Sequence, residues 1–288
     1  MEGVLIINKP KDFFSFFVVN VLRKELNMKK VGHTGTLDPK ATGVLPILIG
    51  NATKISKYLV EHDKTYSVVM ELGTRTDTLD SEGKILETRK VETLDEEKIK
   101  EVLSSFLGKQ KQIPPMYSAI KINGKKAYEY ARNGQVVEIT PREIEIYEMK
   151  FKKYFDNQIS FIVKCSKGTY IRTLCQDIAE RLGTIAYMKE LQRTDVDIFN
   201  IKDAISIDDI KNKKKDVKEA IISIEEVFSK NGKIVLADEK LQYFLNGVKL
   251  TFDMQDGIYR VYQKNKFIGL GILEKKLLKR DVIVEGEI

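Results

Sequence analysis

Apolar and polar residues alternate along three stretches of the first two-thirds of the chain. Residues 66–72, 144–151 and 159–165 place an apolar side chain at about every second position, which is the spacing of strands that bury one face. Residues 4–7 are an uninterrupted apolar run that predicts a short buried strand, and residues 44–49 form a second apolar, buried segment. The predicted strands indicate a mixed sheet in which most neighbouring strands are antiparallel.

Helical spacing, with apolar residues three or four positions apart, occupies much of the chain between these strands. It predicts helices over residues 16–26, 93–108, 127–132 and 174–182, and a shorter one over residues 53–60. Helices that flank a mostly antiparallel sheet are typical of the α+β class. The sequence therefore predicts an α+β fold.

Four shorter segments complete this part of the chain. Asn123-Gly124 marks a hairpin turn, and residues 136–139 alternate as a short strand. Residues 221–228 have the spacing of a short amphipathic helix, whereas the lysine-rich residues 211–218 predict a flexible linker.

A domain boundary is predicted at Asn231-Gly232. Residues 1–230 contain the sheet and helices described above, and residues 232–288 form a small β-rich unit. The strands expected in that unit are residues 234–236, 259–262, 267–273 and 282–284. Its cationic side chains, which predict a positive face, are Lys264, Lys266, Lys275, Lys276, Lys279 and Arg280.

The composition is that of a globular protein with a basic balance of charge. Of 288 residues, 49 are Lys or Arg and 42 are Asp or Glu, which gives a net charge of +7 and a pI near 9.0. This excess suits a polyanionic partner. Cys165 and Cys175 are too few for a disulfide framework, and no signal-like or membrane-length apolar segment is present. We therefore expect a cytoplasmic protein.

Glycines and hydroxyl-bearing residues surround a single carboxylate, Asp38, near the start of the first long apolar run. Gly32, Gly35 and Gly43 can adopt positive φ, and Pro39 biases Asp38 toward an extended conformation. One interpretation is a stiff catalytic loop beside a buried segment. The other is a tight turn in which Asp38 hydrogen-bonds its own backbone. The spacing alone leaves both open.

Two common ligands of glycine-rich loops do not fit these residues. No Gly-Lys-Ser/Thr sequence closes the loop, so a nucleotide P-loop is excluded. His33 and Asp38 would need further ligands to hold a metal, but His62 is the only other histidine and neither cysteine has a paired spacing. We predict no metal site. A lone acid could act as nucleophile or general base, and it would need a cation to stay ionised.

Six sequence blocks follow one another in the first two-thirds of the chain. They are INKP (7–10), GHTGTLDP with ATGVLP (32–39 and 41–46), KTY (64–66), GTRTDT (73–78), PPMYSA (114–119) and KGTYIRT (167–173). In these blocks the chain resembles the TruB family of pseudouridine synthases, and the resemblance extends over residues 5–194. Toward the C-terminus the chain resembles, more weakly, a PUA RNA-binding domain.

The resemblance implies a chemistry that needs no cofactor. One uridine of the tRNA T-arm, at position 55, would be flipped out of its stack and isomerised to pseudouridine. Asp38 would be the nucleophile, and Arg172 would be the cation that pairs with it. Tyr66 would stack on the flipped base and could help to move the C5 proton.

The resemblance also implies substrate and RNA contacts outside this catalytic group. Tyr170 and Leu191 would shape the uracil pocket, and His33 would stabilise the RNA loop from which the base has been extruded. Lys9, in the first block, would be a further RNA contact. The PUA-like unit would hold the RNA away from the reacting base.

The chain departs from the family in an unusual aromatic cluster. Relatives commonly have a glycine and a small hydroxyl residue where this chain has Asp12 and Phe14, and an aspartate where it has Phe17. With Phe13 and Phe16, these substitutions place four phenylalanines in five residues. The rings either join the hydrophobic core or face the RNA.

Two other functions are open on the sequence. One is an enzyme of the same family that modifies ribosomal RNA under a guide RNA, and the other is an RNA-folding factor without chemistry. The short N-terminus and the small C-terminal unit favour stand-alone action on tRNA, as a monomer without an obligate protein partner. Tritium release from uridine labelled at C5 would separate an enzyme from a folding factor.

Overall fold

The alternating segments assemble into a long sheet in the computed structural model, which describes residues 1–212 and 216–284. Part of the predicted linker 211–218 thus lies outside the described residues. In chain order the strands are β1 (Gly3–Lys9), β2 (Val31–His33), β3 (Thr42–Ile49), β4 (Lys64–Leu72), β5 (Thr74–Thr76), β6 (Ile85–Thr88), β7 (Gly108–Gln112), β8 (Lys121–Ile122), β9 (Lys125–Lys126), β10 (Arg142–Phe155), β11 (Gln158–Cys165), β12 (Ala186–Val196), β13 (Phe199–Asn200), β14 (Ile205–Ser206), β15 (Ile221–Ile222), β16 (Lys233–Leu236), β17 (Leu250–Thr251), β18 (Gly257–Gln263), β19 (Lys266–Glu274) and β20 (Leu277–Ile283).

The helices lie between these strands. In chain order they are α1 (Ser15–Glu25), α2 (Ser56–Leu59), α3 (Glu96–Ser104), α4 (Ala127–Arg132), α5 (Ile171–Arg181), α6 (Ile207–Lys211), α7 (Ile224–Val227) and α8 (Asp238–Leu245), with 3-10 turns at Gly50–Ile55 and Ile201–Asp203. In the part of the chain that the structure describes, no helix has the length and apolarity to cross a bilayer.

The larger sheet has the order β14-β1-β3-β12-β4-β11-β10-β7, with β2, β13 and β15 attached at β3, β12 and β1. Neighbouring strands are antiparallel except at β1–β14 and β3–β12. The predicted α+β fold with a mixed, mostly antiparallel sheet is therefore confirmed. Helices α3 and α5 pack on β4, β10 and β11, whereas α1 and α6 pack on β1 and β3.

The two halves of this sheet join where β3 runs beside β12. Gly43 on β3 pairs with Arg193 on β12, and its φ is +104°. A Cβ at Gly43 would lie 2.1 Å from the carbonyl oxygen of Arg193. Only glycine permits this approach.

Substitution Gly43→Ala is expected to destabilise the protein by about 3 kcal/mol or more, because it adds a backbone clash to the cost of positive φ. Gly134→Ala is the matched control, since Gly134 also has positive φ (+67°) but a Cβ there meets nothing within 4 Å. That variant should lose only about 1–2 kcal/mol. Urea denaturation measures both values, and equal losses would contradict the steric explanation.

The second sheet is formed by the C-terminal strands in the order β16-β18-β19-β20-β17, with α8 packed on its core. Its first strand begins after the predicted boundary at Asn231-Gly232. The sheet also contacts the larger one, since Tyr58 donates a 2.5 Å hydrogen bond to Asp281 and the Asn51 amide donates to the carbonyl of Ile283 at 3.3 Å. Apolar side chains of both sheets share one buried cluster.

Several local predictions differ from the structure. Residues 136–139 are not a strand, because they pair with no strand in the described part of the chain, and Val136 is 92% exposed. The segment 221–228 begins as β15, paired with β1, and becomes helical only at Ile224. The helix expected over residues 93–108 spans Glu96–Ser104 and is capped by Asp95. Strands β7 and β12 and helix α8 were not predicted.

Candidate active site

The loop that carries Asp38 connects β2 to β3, and hydrogen bonds from helix α1 hold it in place. The backbone amide of Leu37 donates to the Ser15 hydroxyl at 2.9 Å, and this hydroxyl donates to the carbonyl of Leu37 at 3.1 Å. Ser15 is the first residue of α1. Of the glycines expected to have positive φ, Gly43 does and Gly32 and Gly35 do not. The loop is held by side chains more than by glycine conformations.

Lys9 lies inside the protein, under this loop, and not at the protein surface. It is fully buried, and its ammonium group donates to the carbonyls of Pro10 (2.9 Å), Phe13 (2.7 Å) and Pro39 (2.9 Å). Burial lowers the pKa of Lys9 to about 8, against the opposing charges of Asp38 and Asp12. The structure thus contradicts the expectation that Lys9 contacts RNA, because the side chain is buried and all three donors of its ammonium group are already used on backbone carbonyls.

Substitution Lys9→Met should lower the free energy of unfolding by about 3 kcal/mol, because it leaves buried carbonyls without their donor. Lys11→Met is the control, since Lys11 is exposed, and surface substitutions of this kind change stability by about 0.5 kcal/mol or less. Thermal and urea unfolding of both variants measure the difference. Wild-type stability in Lys9→Met would contradict a structural role for this lysine.

Asp38 and Arg172 form an ion pair across 134 residues of sequence. The Nε of Arg172 lies 3.1 Å from Oδ2 of Asp38, and one terminal nitrogen lies 3.5 Å from Oδ1. Both carboxylate oxygens thus face the guanidinium, the two-point geometry that arginine provides and lysine does not. The structure brings the predicted acid and cation together.

The remaining donors of Arg172 are also occupied. They are directed to the carbonyl of Thr78 at 3.2 Å and to the carbonyl of Tyr117 at 3.0 Å, and Oδ2 of Asp80 lies 3.5 Å away. The Arg172 side chain is only 9% exposed. Asp80 is a site residue that the sequence did not identify, because it lies outside the six sequence blocks.

The end of helix α5 that carries Arg172 is fixed by an amide. Tyr170 precedes the helix in an extended conformation. The Gln112 side chain donates to the carbonyl of Tyr170 at 3.1 Å and accepts from its amide at 2.8 Å. Arg172, in the first turn, is therefore presented by a rigid backbone.

Burial and three neighbouring charges set the pKa of Asp38. Burial raises the pKa of the carboxyl, Arg172 lowers it, Asp80 raises it and Lys9 lowers it. The balance is a raised pKa, because loss of solvation outweighs the pairing. Arg172 opposes this shift and orients the carboxylate, which is how Asp38 can be held as an ionised nucleophile.

A cavity of about 130 Å³ opens beside Asp38. A cavity of roughly 150 Å³ accommodates one benzene molecule, so this one has the size of a single six-membered ring. The predicted residues Tyr66, Tyr170 and Leu191 all line it, together with Asp38 and Arg172.

A buried arginine, which the sequence did not identify as a site residue, hydrogen-bonds Tyr66. Arg193 is 2% exposed, donates to the carbonyls of Val44 (2.7 Å) and Gly35 (3.2 Å), and hydrogen-bonds the Tyr66 phenol. Burial raises the pKa of Tyr66 to about 12, although Arg193 opposes this shift. The phenol is thus neutral at pH 7, and its hydroxyl hydrogen remains available for donation.

His33 and the two cysteines lie outside the cavity. His33 ends β2, where burial lowers its pKa, so it is uncharged at neutral pH. Cys165 and Cys175 are buried, and burial raises the pKa of both thiols. Both cysteines are packing residues.

Comparison with protein families gives two matches. Residues 23–171 match the family described as TruB family pseudouridylate synthase (N terminal domain). Residues 172–229 match the tRNA pseudouridylate synthase B C-terminal domain.

Full-length relatives and solved structures agree with these matches. The chain is 44% identical over 285 residues to tRNA pseudouridine synthase B of Clostridium tetani, covering 97% of this chain and 98% of the relative. It is 42% identical over 283 residues to the protein of that name from Caldanaerobacter subterraneus subsp. tengcongensis, with the same coverage. A chain from the crystal structure of a Cbf5–Nop10–Gar1 complex has the same fold, with a TM-score of 0.71 and 25% identity over 99% of this chain and 84% of that chain. The chain therefore belongs to the TruB family of pseudouridylate synthases.

Proposed function

We propose that this protein isomerises uridine to pseudouridine in tRNA, at position 55 of the T-arm, with Asp38 as the nucleophile. The observation that carries the proposal is the pairing of Asp38 with Arg172 on the wall of a cavity that has room for one pyrimidine ring. Relatives named tRNA pseudouridine synthase B, at 44% and 42% identity over nearly the full chain, support tRNA as the substrate.

The reaction takes no atom from outside the RNA, apart from protons that are exchanged with water. Asp38 attacks the nucleotide, and the N-glycosidic bond between N1 and C1′ breaks. The uracil turns within the cavity, and C5 forms the new bond to C1′. The hydrogen on C5 leaves as a proton, N1 gains a proton, and the carboxylate is released.

The proposal includes extrusion of the target base from its stack into the cavity. Residues of the Asp38 loop, of β4 and β12 and of the start of α5 line the cavity, and enzymes that act on a base inside a stack first extrude it. Tyr66 offers an aromatic surface for the extruded base, and Leu191 offers an apolar one. Stacking and backbone contacts must offset the few kcal/mol that extrusion costs.

Cationic side chains near the site are suited to the RNA backbone. Lys11, Lys40 and Lys189 line a cavity of about 310 Å³ that shares Leu191 with the uracil cavity. Contacts of this kind position the RNA without reading its sequence.

We expect the C-terminal unit to contact the RNA at a distance from the reacting base, as a PUA-like domain. Its positive face is weaker than the composition indicates, because Lys264, Lys276 and Lys279 pair with neighbouring acids. The proposal also includes a monomer that acts in the cytoplasm without an obligate protein partner.

The test is a T-arm stem-loop that carries tritium at C5 of its uridines. The protein should release tritium without added cofactor, up to one equivalent per RNA when only position 55 is labelled. A protein that binds the stem-loop and releases no tritium would be an RNA-binding protein without this chemistry.

A further inference from the structure

Three phenylalanine rings at the start of helix α1 are exposed, and the proposed reaction does not use them. The exposed fractions are 67% for Phe14, 59% for Phe16 and 50% for Phe17. We call these three residues the aromatic patch. Phe13 is half-buried and packs edge-on against Phe17, with ring centroids 5.3 Å apart. A contribution to the hydrophobic core thus explains Phe13 but not the patch.

Phe14 lies at the mouth of the catalytic cavity. Its ring lines an outer cavity of about 570 Å³, and Asp38, Tyr170 and Arg172 line both this cavity and the inner one. The outer cavity has more than four times the volume of the inner one, so it has room for a second base with its sugar and phosphate.

The backbone holds Phe14 in place at this mouth. Phe14 is the extended residue directly before α1, and its carbonyl accepts from the amide of Val18 at 3.3 Å. The next residue, Ser15, is hydrogen-bonded to the Asp38 loop. The backbone that carries the ring is therefore fixed relative to Asp38, so only the two side-chain torsions of Phe14 must be ordered when a ligand contacts the ring.

Cations lie around the patch, although the acids Asp80 and Glu82 also line the outer cavity. The Arg23 guanidinium lies 5.6 Å from the centre of the Phe16 ring, and Arg132 lines the outer cavity. Lys11 and Lys40 line the neighbouring cavity, and Lys40 is paired with Asp12. Exposed aromatic rings among cations are the combination that binds unpaired nucleotides, by stacking on the bases and by contact with the phosphates.

We propose that Phe14 stacks on an unpaired nucleobase next to the target uridine, and that this contact contributes to RNA affinity in this chain. The inference rests on the proposed function, because it assumes that the target uridine occupies the inner cavity. Serine at this position would offer no such surface. The occupant of the outer cavity is a flanking nucleotide of the same RNA strand.

The test uses T-arm stem-loops in which 2-aminopurine replaces one nucleotide flanking the target. Stacking on Phe14 quenches this fluorophore on binding. Phe14→Ser should lower affinity about tenfold, because the base loses its stacking surface, and should abolish the quenching at one flanking position. Phe14→Tyr should retain both. Phe155→Ser is the matched control, because Phe155 is 68% exposed and lies at the end of β10, with Lys153 4.8 Å from its ring; it should bind as the wild type does.

Three results would overturn the inference. Phe14→Ser could bind and quench as the wild type does, or Phe155→Ser could weaken binding equally. Light scattering could instead show that the wild type is a dimer and that Phe14→Ser is a monomer, in which case a second copy of the chain covers the patch. Failure of the proposed function has a different signature: the wild type would release no tritium, while the quenching could still depend on Phe14.

Discussion

Substitution Asp38→Asn is expected to abolish tritium release, with a loss of at least about 10⁴-fold in rate, because the amide cannot form the covalent bond to the nucleotide. RNA binding should remain within about threefold of the wild type. Thermal stability should be unchanged or higher, because burial disfavours the charged form of Asp38 and asparagine carries no charge. Tritium release, stem-loop binding and thermal unfolding measure the three quantities.

The control for this substitution is a second carboxyl with a perturbed pKa. Burial raises the pKa of Asp177, on helix α5, to about 6, but Asp177 does not line the cavity beside Asp38. Asp177→Asn should keep the wild-type rate. If Asp38→Asn retained activity, or if both variants lost it equally, Asp38 would not be the nucleophile.

The second large effect is expected at Arg172. Substitution Arg172→Gln should lower the rate about 10²- to 10³-fold, because it removes the cation that keeps the Asp38 carboxylate ionised and oriented, and a small misplacement of a reacting group costs about 10²-fold. Arg172→Lys should recover part of the loss, since lysine restores the charge but not the two-point contact. Arg181→Gln is the control on the same helix, because Arg181 donates to Ser105 at the far end of α5.

The pH dependence of these variants reports the ionisation of Asp38. The carboxylate is the reactive form, so activity is present above the pKa of Asp38 and is lost as the pH falls through it. Arg172 lowers this pKa, so Arg172→Gln should move the acid limb of the pH–rate profile to higher pH, and Arg172→Lys should move it less. An unchanged acid limb in Arg172→Gln would mean that Asp38 does not control that limb.

The sequence predicts the elements whose patterns are regular and misses those whose patterns are interrupted. Strand β12 is the clearest example. Its pairing with β4 shifts register at Met188/Glu190 and again at Arg193/Asp195, so its buried residues do not follow a period of two. Conversely, residues 136–139 alternate but have no partner strand, and alternation without a partner does not make a strand.

Only the site residues that lie in the six family-like sequence blocks, or that the family resemblance implies, were predictable from the sequence. Local spacing left Asp38 as either a nucleophile or a turn residue, and the pairing with Arg172 followed from the family resemblance, because 134 residues separate the two. Arg193 and Lys9 could not be assigned from sequence, since their roles depend on carbonyls that converge only in the folded protein. A buried cation in a strand also runs against the usual exposure of Arg and Lys.

The most direct measurement of the central claim is the position of pseudouridine in a full-length tRNA transcript after incubation with the protein. Carbodiimide derivatisation marks pseudouridine, and reverse transcription then stops one nucleotide to its 3′ side. We predict one stop, reporting position 55, with the wild type, and none with Asp38→Asn. Absence of a stop, a stop elsewhere while uridine 55 is unmodified, or a stop that persists in Asp38→Asn would contradict isomerisation of the T-arm uridine by Asp38.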